Sequence, residues 1–405
     1  MPIRVCYLMP RLLPTPSGAA VGGSASNCVS LALELKREGL DVELLTSMSQ
    51  DDAGRLTGSP LGEIVRSSAC GGSGLVRKGL GTLYSLRQRL KKRLRETRLD
   101  VVHSHSGTFP YAILPLAADR RTSVRLHSLY CPLGAKGGVY SRWWERPLLA
   151  RSLLRRLDKV VAVTGNVRQS IEEVGVPPEQ IECIPMCVDT RRFQPKEHCG
   201  PLRYFSQNGG SLRVLYVGNT SREKGLIQLL HAVKLLIDER LRISLVAAIE
   251  NQSRIKEYAT GYDQVHKRIG ELQIGGCVHL VGVVDRIEDL YAESDFVVIP
   301  WETSRGPSDY PMVAMEAMAM GKCVISTPVG GCPELLDHGT AGILTDGFSA
   351  ASLASAIRSA ASNVEVRRAV ERAGVLRAAE LSLNAAARKT ISLYERMVGA
   401  KDRRG

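Results

Sequence analysis

Short apolar-centred runs and stretches of helical period alternate along most of this chain. "IRVCYLM" (3–9), "DVELLT" (41–46), "DVVHSH" (100–105), "SVRLHS" (123–128) and "KVVAVT" (159–164) read as strands. Between the first two, "SASNCVSLALELKREGL" (24–40) repeats apolar residues at helical spacing through Val29, Leu31, Ala32 and Leu35, with Gly39 as its stop. A second series runs through "LRVLYVG" (212–218), "RISLVAA" (242–248), "VHLVG" (278–282), "FVVIP" (296–300) and "CVISTP" (323–328). The Pro-, Gly- and polar-rich stretch "PKEHCGPLRYFSQNGGS" (195–211) interrupts the rhythm and reads as a linker. No repeat of fixed period is present.

Alternation of strand and helix implies parallel, doubly wound sheets. The expected fold is α/β, with two Rossmann-like domains facing across a cleft, residues 1–194 and 212–381. The last helical stretch, 382–398, closes the second domain or crosses back to complete the first, in that case reaching residue 400. In open α/β sheets ligands bind beyond the carboxyl ends of the strands, so the chemistry belongs in the loops that follow them.

Composition agrees with this picture and adds one asymmetry. A chain of 405 residues exceeds one typical core. No apolar run approaches the ~20 residues that span a bilayer. The N-terminus reads as a buried strand rather than a signal peptide, and the ten cysteines show no metal-ligand spacing. Reduced thiols in the cytoplasm are the expectation. Residues 1–190 hold 26 Lys and Arg against 17 Asp and Glu, most of the net charge of +13. The first half is therefore the side suited to an anionic partner.

Two loops of the second half carry candidate chemistry. "GNTSREKGLIQLL" after the 212–218 strand places Arg222 in the loop and Lys224 and Gly225 where the next helix opens, a seat for a diphosphate. "WETSRGPSDYP" leads into "MVAMEAMAMG", where Glu316 stands one turn into a helix of Met and Ala. An acid near a helix start is stabilised by the dipole alone. Its neighbours Ala314, Met315, Ala317, Met318 and Ala319 offer it no polar partner, and two vicinal hydroxyls of a ligand would serve as one.

With these motifs in order, the chain resembles the family-4 retaining glycosyltransferases of GT-B fold. The likeness runs nearly end to end, through "GAAVGGSASNCVSLALELKREGLDVELLT", "DVVHSH", "LHS" (126–128), "YVGNTSREKGLIQLLHAV" and "SDYPMVAMEAMAMGKCVISTPVGGCPELL". The resemblance implies that Glu316 holds the nucleotide's ribose and that Lys224 neutralises the diphosphate. It implies that the backbone of Gly22 and Gly23 approaches the donor phosphates, and that Tyr310, Pro311, Met312 and Val313 lie against sugar and diphosphate at a helix start. His127 matches the histidine that follows a first-domain strand and reaches the donor sugar. The implied donor is a nucleotide-diphosphate sugar, transferred with retention and without a metal or other cofactor.

Three positions depart from the family pattern. Asn219 stands where an arginine is usual, Ser308 where the first glutamate of a pair is usual, and Met186-Cys187 where Asn-Gly is usual. The departing diphosphate thus has one cation fewer, for which Arg222 or Arg305 is the candidate substitute. Ser308 retains only a hydrogen bond to offer a sugar hydroxyl.

Two basic segments bear on the acceptor. "SLRQRLKKRLRETR" (85–98) sets Leu86, Leu90 and Leu94 on one face among seven basic residues, and "SRWWERPLLARSLLRRLDK" (141–159) mixes tryptophan, leucine and arginine. Both read either as ordinary covering helices or as faces for an anionic membrane, which would suit a lipid-linked acceptor or growing polysaccharide. Nucleic acid is not expected, since aromatics are not interleaved with the basic runs. The expectation is a cytoplasmic, peripherally membrane-bound glycosyltransferase. Its rivals are a non-catalytic nucleotide-sugar-binding relative that supports a partner transferase, and a nucleotide-sugar epimerase of the same fold. Nucleotide base, sugar, acceptor and linkage are not encoded readably in the loops 51–82 and 129–142.

Overall fold

The structure, a computed structural model, describes residues 2–10, 12, 22–48, 50–56, 58–69, 75–134, 147–196, 202–205, 211–249, 256–284, 286–303 and 308–403. Arg305, Trp143 and Trp144, singled out above, lie outside the described residues. The chain divides into two units. The first comprises Met1–Cys187, Arg305–Asp309 and Leu383–Gly405, the second Val188–Ser304 and Tyr310–Ser382.

In the first unit β1 (Arg4–Leu8), α1 (Gly23–Arg37), β2 (Asp41–Met48), α2 (Gln50–Gly54), α3 (Pro60–Ile64), β3 (Val65–Ala69) and α4 (Leu75–Glu96) follow one another. Then come β4 (Val101–Ser106), β5 (Val124–Leu129), α5 (Pro147–Leu154), β6 (Lys159–Ala162), α6 (Gly165–Glu173) and β7 (Ile181–Cys183). The seven strands lie in the order β3-β2-β1-β4-β5-β6-β7, each pair parallel. The chain winds one way from β1 and the other way from β4, so the switch point falls between those two strands.

The second unit repeats the scheme: β8 (Leu212–Val217), α7 (Leu226–Asp238), β9 (Ile243–Ala248), α8 (Lys256–Glu271), β10 (Val278–Val281), α9 (Ile287–Glu293) and β11 (Phe296–Ile299). It continues with α10 (Met312–Ala319), β12 (Cys323–Ser326), α11 (Cys332–Leu335), β13 (Ile343–Leu344), α12 (Ala350–Ser362) and α13 (Val364–Glu380). Its order is β10-β9-β8-β11-β12-β13, again all parallel, with the switch point between β8 and β11. The expected α/β class with two parallel, doubly wound sheets is what the chain forms. The strands β3, β7 and β13 were not expected: β3 reads VRSSA, too polar for an apolar run, and β7 and β13 are only three and two residues long.

Alternation along the strands sorts the core of the first unit into two layers. Val5 and Tyr7 of β1 face α1, while Cys6 and Leu8 face a second cluster that holds Leu86 and Leu90 of α4. Four residues apart, those leucines share one helix face, and both are fully buried. The basic segment 85–98 is therefore a covering helix on one side. On its outer side Lys91, Lys92 and Arg95 are exposed, but Arg93 is bound at 2.9 and 3.0 Å to both carboxylate oxygens of Glu43.

The last helix, α14 (Leu383–Asp402), belongs to the first unit. Leu383, Ala386, Ala387, Leu393 and Tyr394 enter the cluster formed by β1 and α1, and the Tyr394 hydroxyl donates to that of Tyr7 at 3.0 Å. Of the two destinations open to the 382–398 stretch, the chain takes the return to the first sheet. The described parts of the expected linker, 195–196, 202–205 and 211, lie in the second unit. There the amides of Arg203 and Tyr204 donate to the Glu293 carboxylate, both at 3.0 Å.

Leu393 is fully buried under this arrangement. Leu393→Ala is expected to destabilise the first unit by about 2–5 kcal/mol, read as a lower urea midpoint. A change below about 1 kcal/mol would mean that α14 does not carry part of that core.

Candidate functional site

The switch point of the second sheet gathers the expected phosphate loop. After β8 the chain turns at Asn219, whose side-chain Oδ1 accepts from the Ser221 amide at 3.0 Å and whose carbonyl accepts from the Tyr216 hydroxyl at 2.6 Å. Asn219 is thus a turn-former, its side chain directed at its own loop. Arg222 to Lys224 form one 3-10 turn, and α7 begins only at Leu226. Lys224 therefore lies just before the helix rather than opening it. The break is Gly225, at φ +69°, where a Cβ would stand 1.7 Å from the carbonyl oxygen of Pro300. Only glycine permits that approach.

Pro300 and Trp301 follow β11, the strand beside β8, so the two loops meet. The Glu302 amide donates to the Glu223 carbonyl at 2.9 Å, and Arg222, its side chain largely exposed, stands 3.6 Å from the Glu302 carboxylate. The Lys224 ammonium lies 3.4 Å from the centroid of the Trp301 ring, in a side chain almost completely buried. A desolvated cation on an indole face is held by the ring quadrupole, which carries no counter-charge of its own. Trp301 was missed in the sequence; the signal was its place directly after an apolar strand.

The chain next reaches α10 through buried Ser308, Asp309 and Tyr310. Pro311 is the N-cap and lends no side-chain hydrogen bond, and the first turn carries no acid. The first amides of α10, at Met312 and Val313, are of the kind that find no intrahelical partner. Glu316 sits one turn on and half-buried. The sequence offered it no polar partner on its own helix, and that expectation needs correction: Tyr291 of α9 donates its hydroxyl to Oε2 at 2.7 Å. Burial pushes the Glu316 carboxyl up to about 7, partly offset by the Tyr291 hydrogen bond and by Arg192, with Glu288 acting in the same sense as burial.

Asp309, also missed, is fully buried in the first unit. Its Oδ2 accepts from the Thr164 hydroxyl at 2.8 Å and from Asn166 at 3.5 Å, and its amide donates to the Tyr130 carbonyl at 2.8 Å. It stands next to Ser308, within one residue of the position where an acid was looked for.

In the first unit Gly22 caps α1 at φ +96°, and among the described residues no atom lies within 4 Å of a Cβ built on it. Its glycine is required by backbone conformation rather than by crowding within the chain. His127 lies inside β5 rather than after it, because the strand runs on to Leu129. It is fully buried, its Nδ1 is 2.7 Å from the Ser104 hydroxyl, and its Nε2 has no hydrogen-bond partner among the described residues.

Close by in the strands is a polar cluster that the sequence did not reveal. His103 binds the Tyr394 hydroxyl at 2.7 Å and that of Ser128 at 2.8 Å, while His105 binds the Tyr130 hydroxyl at 3.2 Å. The two imidazoles stack at 4.2 Å. Burial pushes the imidazoles of His105 and His127 down to about 3 and that of His103 well below its ordinary value, with neighbouring histidines adding to the effect on His103 and His105. All three are neutral hydrogen-bonding groups at physiological pH.

A pocket of about 340 Å³ opens between the first turn of α7 and α8, lined by Thr220, Arg222, Gln264, Lys267, Arg268 and Glu302 among others. Arg222 is the one expected site residue on its wall. Lys224 and Glu316 are not, so the candidate site is defined by the loops after β8 and β11 and by α10 rather than by this hollow.

The family model described as Glycosyl transferases group 1 matches residues 211–363, and that described as Glycosyltransferase Family 4 matches residues 21–192. Among curated proteins, a D-inositol 3-phosphate glycosyltransferase of Pseudarthrobacter chlorophenolicus is 24% identical over 400 residues, covering 95% of this chain and 92% of its own. Among solved structures, sucrose-phosphate synthase from Thermosynechococcus elongatus superposes with a TM-score of 0.79 at 21% identity, over 98% of this chain and 100% of its own. Anabaena HepE in complex with UDP and glucose gives 0.75 at 16% identity, over 97% and 100%.

The buried histidines generate a pH prediction. Their folded pKa values lie below the unfolded value of about 6.5, so no cost is felt above that pH, and stability is lost as pH falls towards 3. Each should contribute about 1 kcal/mol of loss per pH unit in that window. Their ring resonances should not titrate between pH 5 and 8, and a histidine among them that titrates near 6.5 would contradict its burial.

Proposed function

Because this chain belongs to the group 1, family-4 glycosyltransferases and moves sugar from a nucleotide-sugar, we propose that it does so with retention, without a metal, and onto a hydroxyl of an anionic acceptor. The observation that carries the donor half of this reading is α10. Met312 at its uncapped start and Glu316 are separated by about 6 Å of backbone rise along one helix, which puts amide donors and a carboxylate on the same element. Amides at a helix start favour phosphate oxygens, and a fixed carboxylate accepts from vicinal hydroxyls.

Breaking the bond from anomeric carbon to phosphate builds positive charge on the sugar and negative charge on the diphosphate. In this reading Lys224 leaves the face of Trp301 for the stronger electrostatic partner, and the amides of Met312 and Val313 share the load. Arg222, exposed and 3.6 Å from Glu302, is the cation placed to compensate for Asn219, whose side chain is committed to its own turn. The departing phosphate takes the acceptor's proton, so no protein base is assigned. His127 offers its neutral imidazole to the donor sugar, a role supported by the unpartnered Nε2. Ser308 is assigned to a sugar hydroxyl, and Gly22, Gly23, Tyr310 and Pro311 to backbone approach.

The acceptor half rests on charge and on the relatives. The surplus of basic residues in 1–190 suits a phosphate-bearing acceptor, and the relative's name specifies an inositol phosphate. An anionic membrane surface as docking platform is supported by α5, where Leu148 is 79% and Leu149 40% exposed beside exposed Arg151, and by Lys91, Lys92 and Arg95 on α4. No described helix is long and apolar enough to cross a membrane.

Donor turnover against a panel of nucleotide-sugars, with and without phosphorylated polyols, tests the reading. Conversion that needs no acceptor would point to an epimerase instead. Glu316→Ala should weaken nucleotide binding by about 1.5–3 kcal/mol by calorimetry, and Lys224→Ala should lower kcat by ~10²–10³. Anomeric inversion in the product by NMR would refute retention. Charge reversal at Lys91, Lys92 and Arg95 should abolish co-sedimentation with anionic vesicles at low salt, and unaltered binding would remove the membrane from the proposal.

A further inference from the structure

The partner of Glu316 is itself held by a segment far from it in sequence. Tyr291 is fully buried on α9, and its ring meets Phe193 edge to face, with centroids 6.1 Å apart and an interplanar angle of 77°. Phe193 carries the guanidinium of Arg192 on its face, 4.9 Å from the ring centroid, and Arg192 reaches back to Glu288 of α9 at 3.0 Å. Lys196 adds a contact of 3.5 Å to Asp289 of the same helix. The segment is stiffened by the Asp189 carbonyl, which accepts from the amides of Arg192 and Phe193 at 3.1 and 2.9 Å. Residues 188–196 thus clamp α9 over the aromatic ring that faces α10.

Packing alone does not ask for a hydroxyl at position 291. A buried phenol must find a hydrogen-bond partner, and a phenylalanine would fill the same space without that demand. The partner found is one oxygen of Glu316, and Oε1 of that carboxylate accepts no hydrogen bond among the described residues. From this geometry we infer that Tyr291 is a positioning residue for the nucleotide, pinning Oε2 of Glu316 so that Oε1 is presented to the ribose hydroxyls. The inference rests on the reading of Glu316 as the ribose ligand. Its physical content is preorganisation: a glutamate fixed before the ligand arrives loses less rotamer freedom on binding.

The same hydrogen bond sets when the carboxylate is ionised. The groups acting on Glu316 are Tyr291 and Arg192, which favour the anion, and Glu288, which opposes it, beneath the larger effect of burial. Helix α13, packed on α10 where Gly374 meets Met318, brings no charge that acts on it. With the carboxyl at about 7, a ribose that selects the anion binds more tightly as pH rises to 7 and levels off above it. Loss of the Tyr291 hydroxyl removes a group that favours the anion, so the rise moves to higher pH.

The test is calorimetry of the full chain with UDP, GDP, ADP and dTDP at pH 6, 7 and 8, carrying the tightest binder forward. Tyr291→Phe should weaken binding about 10-fold at pH 7 and displace the rise to more alkaline pH. Glu316→Gln should bind weakly with only the pH dependence of the diphosphate itself, which supplies the baseline for the others. Should Tyr291→Phe melt early, Arg192→Gln, at a partly exposed side chain, takes its place with a displacement of the same sign. If Glu316→Gln weakens binding while the variant at 291 or 192 keeps the wild-type profile, Tyr291 is structural and the inference falls alone. If Glu316→Gln binds like wild type, or none of the four nucleotides binds wild type, the ribose reading falls and takes the inference with it.

Discussion

Parallel pairing is the constraint from which the rest of this molecule follows. A parallel strand cannot return by a hairpin, so every crossover passes over a face of the sheet and every strand delivers its end to the same edge. Where winding reverses, two neighbouring strands lead into helices on opposite faces of the sheet, while the loops that leave them start side by side at its carboxyl end. In the second unit those strands are β8 and β11, and the loops they release hold Lys224 and Trp301. The glycine between Lys224 and α7 exists because these loops approach so closely that a methyl group would collide with the Pro300 carbonyl.

Burial then dictates the chemistry. In the first unit the edge of the sheet is filled by imidazoles and phenols rather than by aliphatic side chains, and each needs a partner. His103 is fully satisfied by Tyr394 and Ser128, whereas His105 and His127 each keep one ring nitrogen without a partner among the described residues. Neutralising the rings lowers the cost of this arrangement, and it limits what they do: a histidine held far below its ordinary pKa offers hydrogen bonds, not charge. Tyr394 also shows why α14 returns to the first sheet, since it bonds both His103 and Tyr7.

The regular part of this fold was legible because buried parallel strands are written as apolar runs and helices as a 3.6-residue period. Ten strands follow from such runs, whereas β3 (VRSSA) is too polar to form one and β7 and β13, of three and two residues, are too short. The destination of α14 was illegible for a different reason: periodicity gives a helix its apolar face but not the surface that face will cover. The candidate site divides the same way. Glu316 and Lys224 stand out locally, one as an acid among methionines and the other as a cation at a strand-loop-helix junction. Tyr291, Trp301 and Asp309 act through contacts with residues that are 25, 77 and 145 positions away. No spacing rule reaches that far.

Those distant contacts suggest how the chain tolerates its departures from the family pattern. Asn219 carries no charge, yet its side chain holds the turn that keeps Lys224 beside Trp301, so that position supports the lysine rather than assisting it. An ammonium on an aromatic face is attracted by the ring quadrupole, more weakly than by an opposite charge in a site shielded from water. Glu316 is poised comparably, with one oxygen bound and ionisation near neutrality. In both cases a contact inside the second unit holds the side chain in position, the Trp301 ring for Lys224 and the Tyr291 hydroxyl for Glu316. Contacts of this kind, made by side chains distant in sequence, fix the geometry of Lys224 and Glu316 within the second unit.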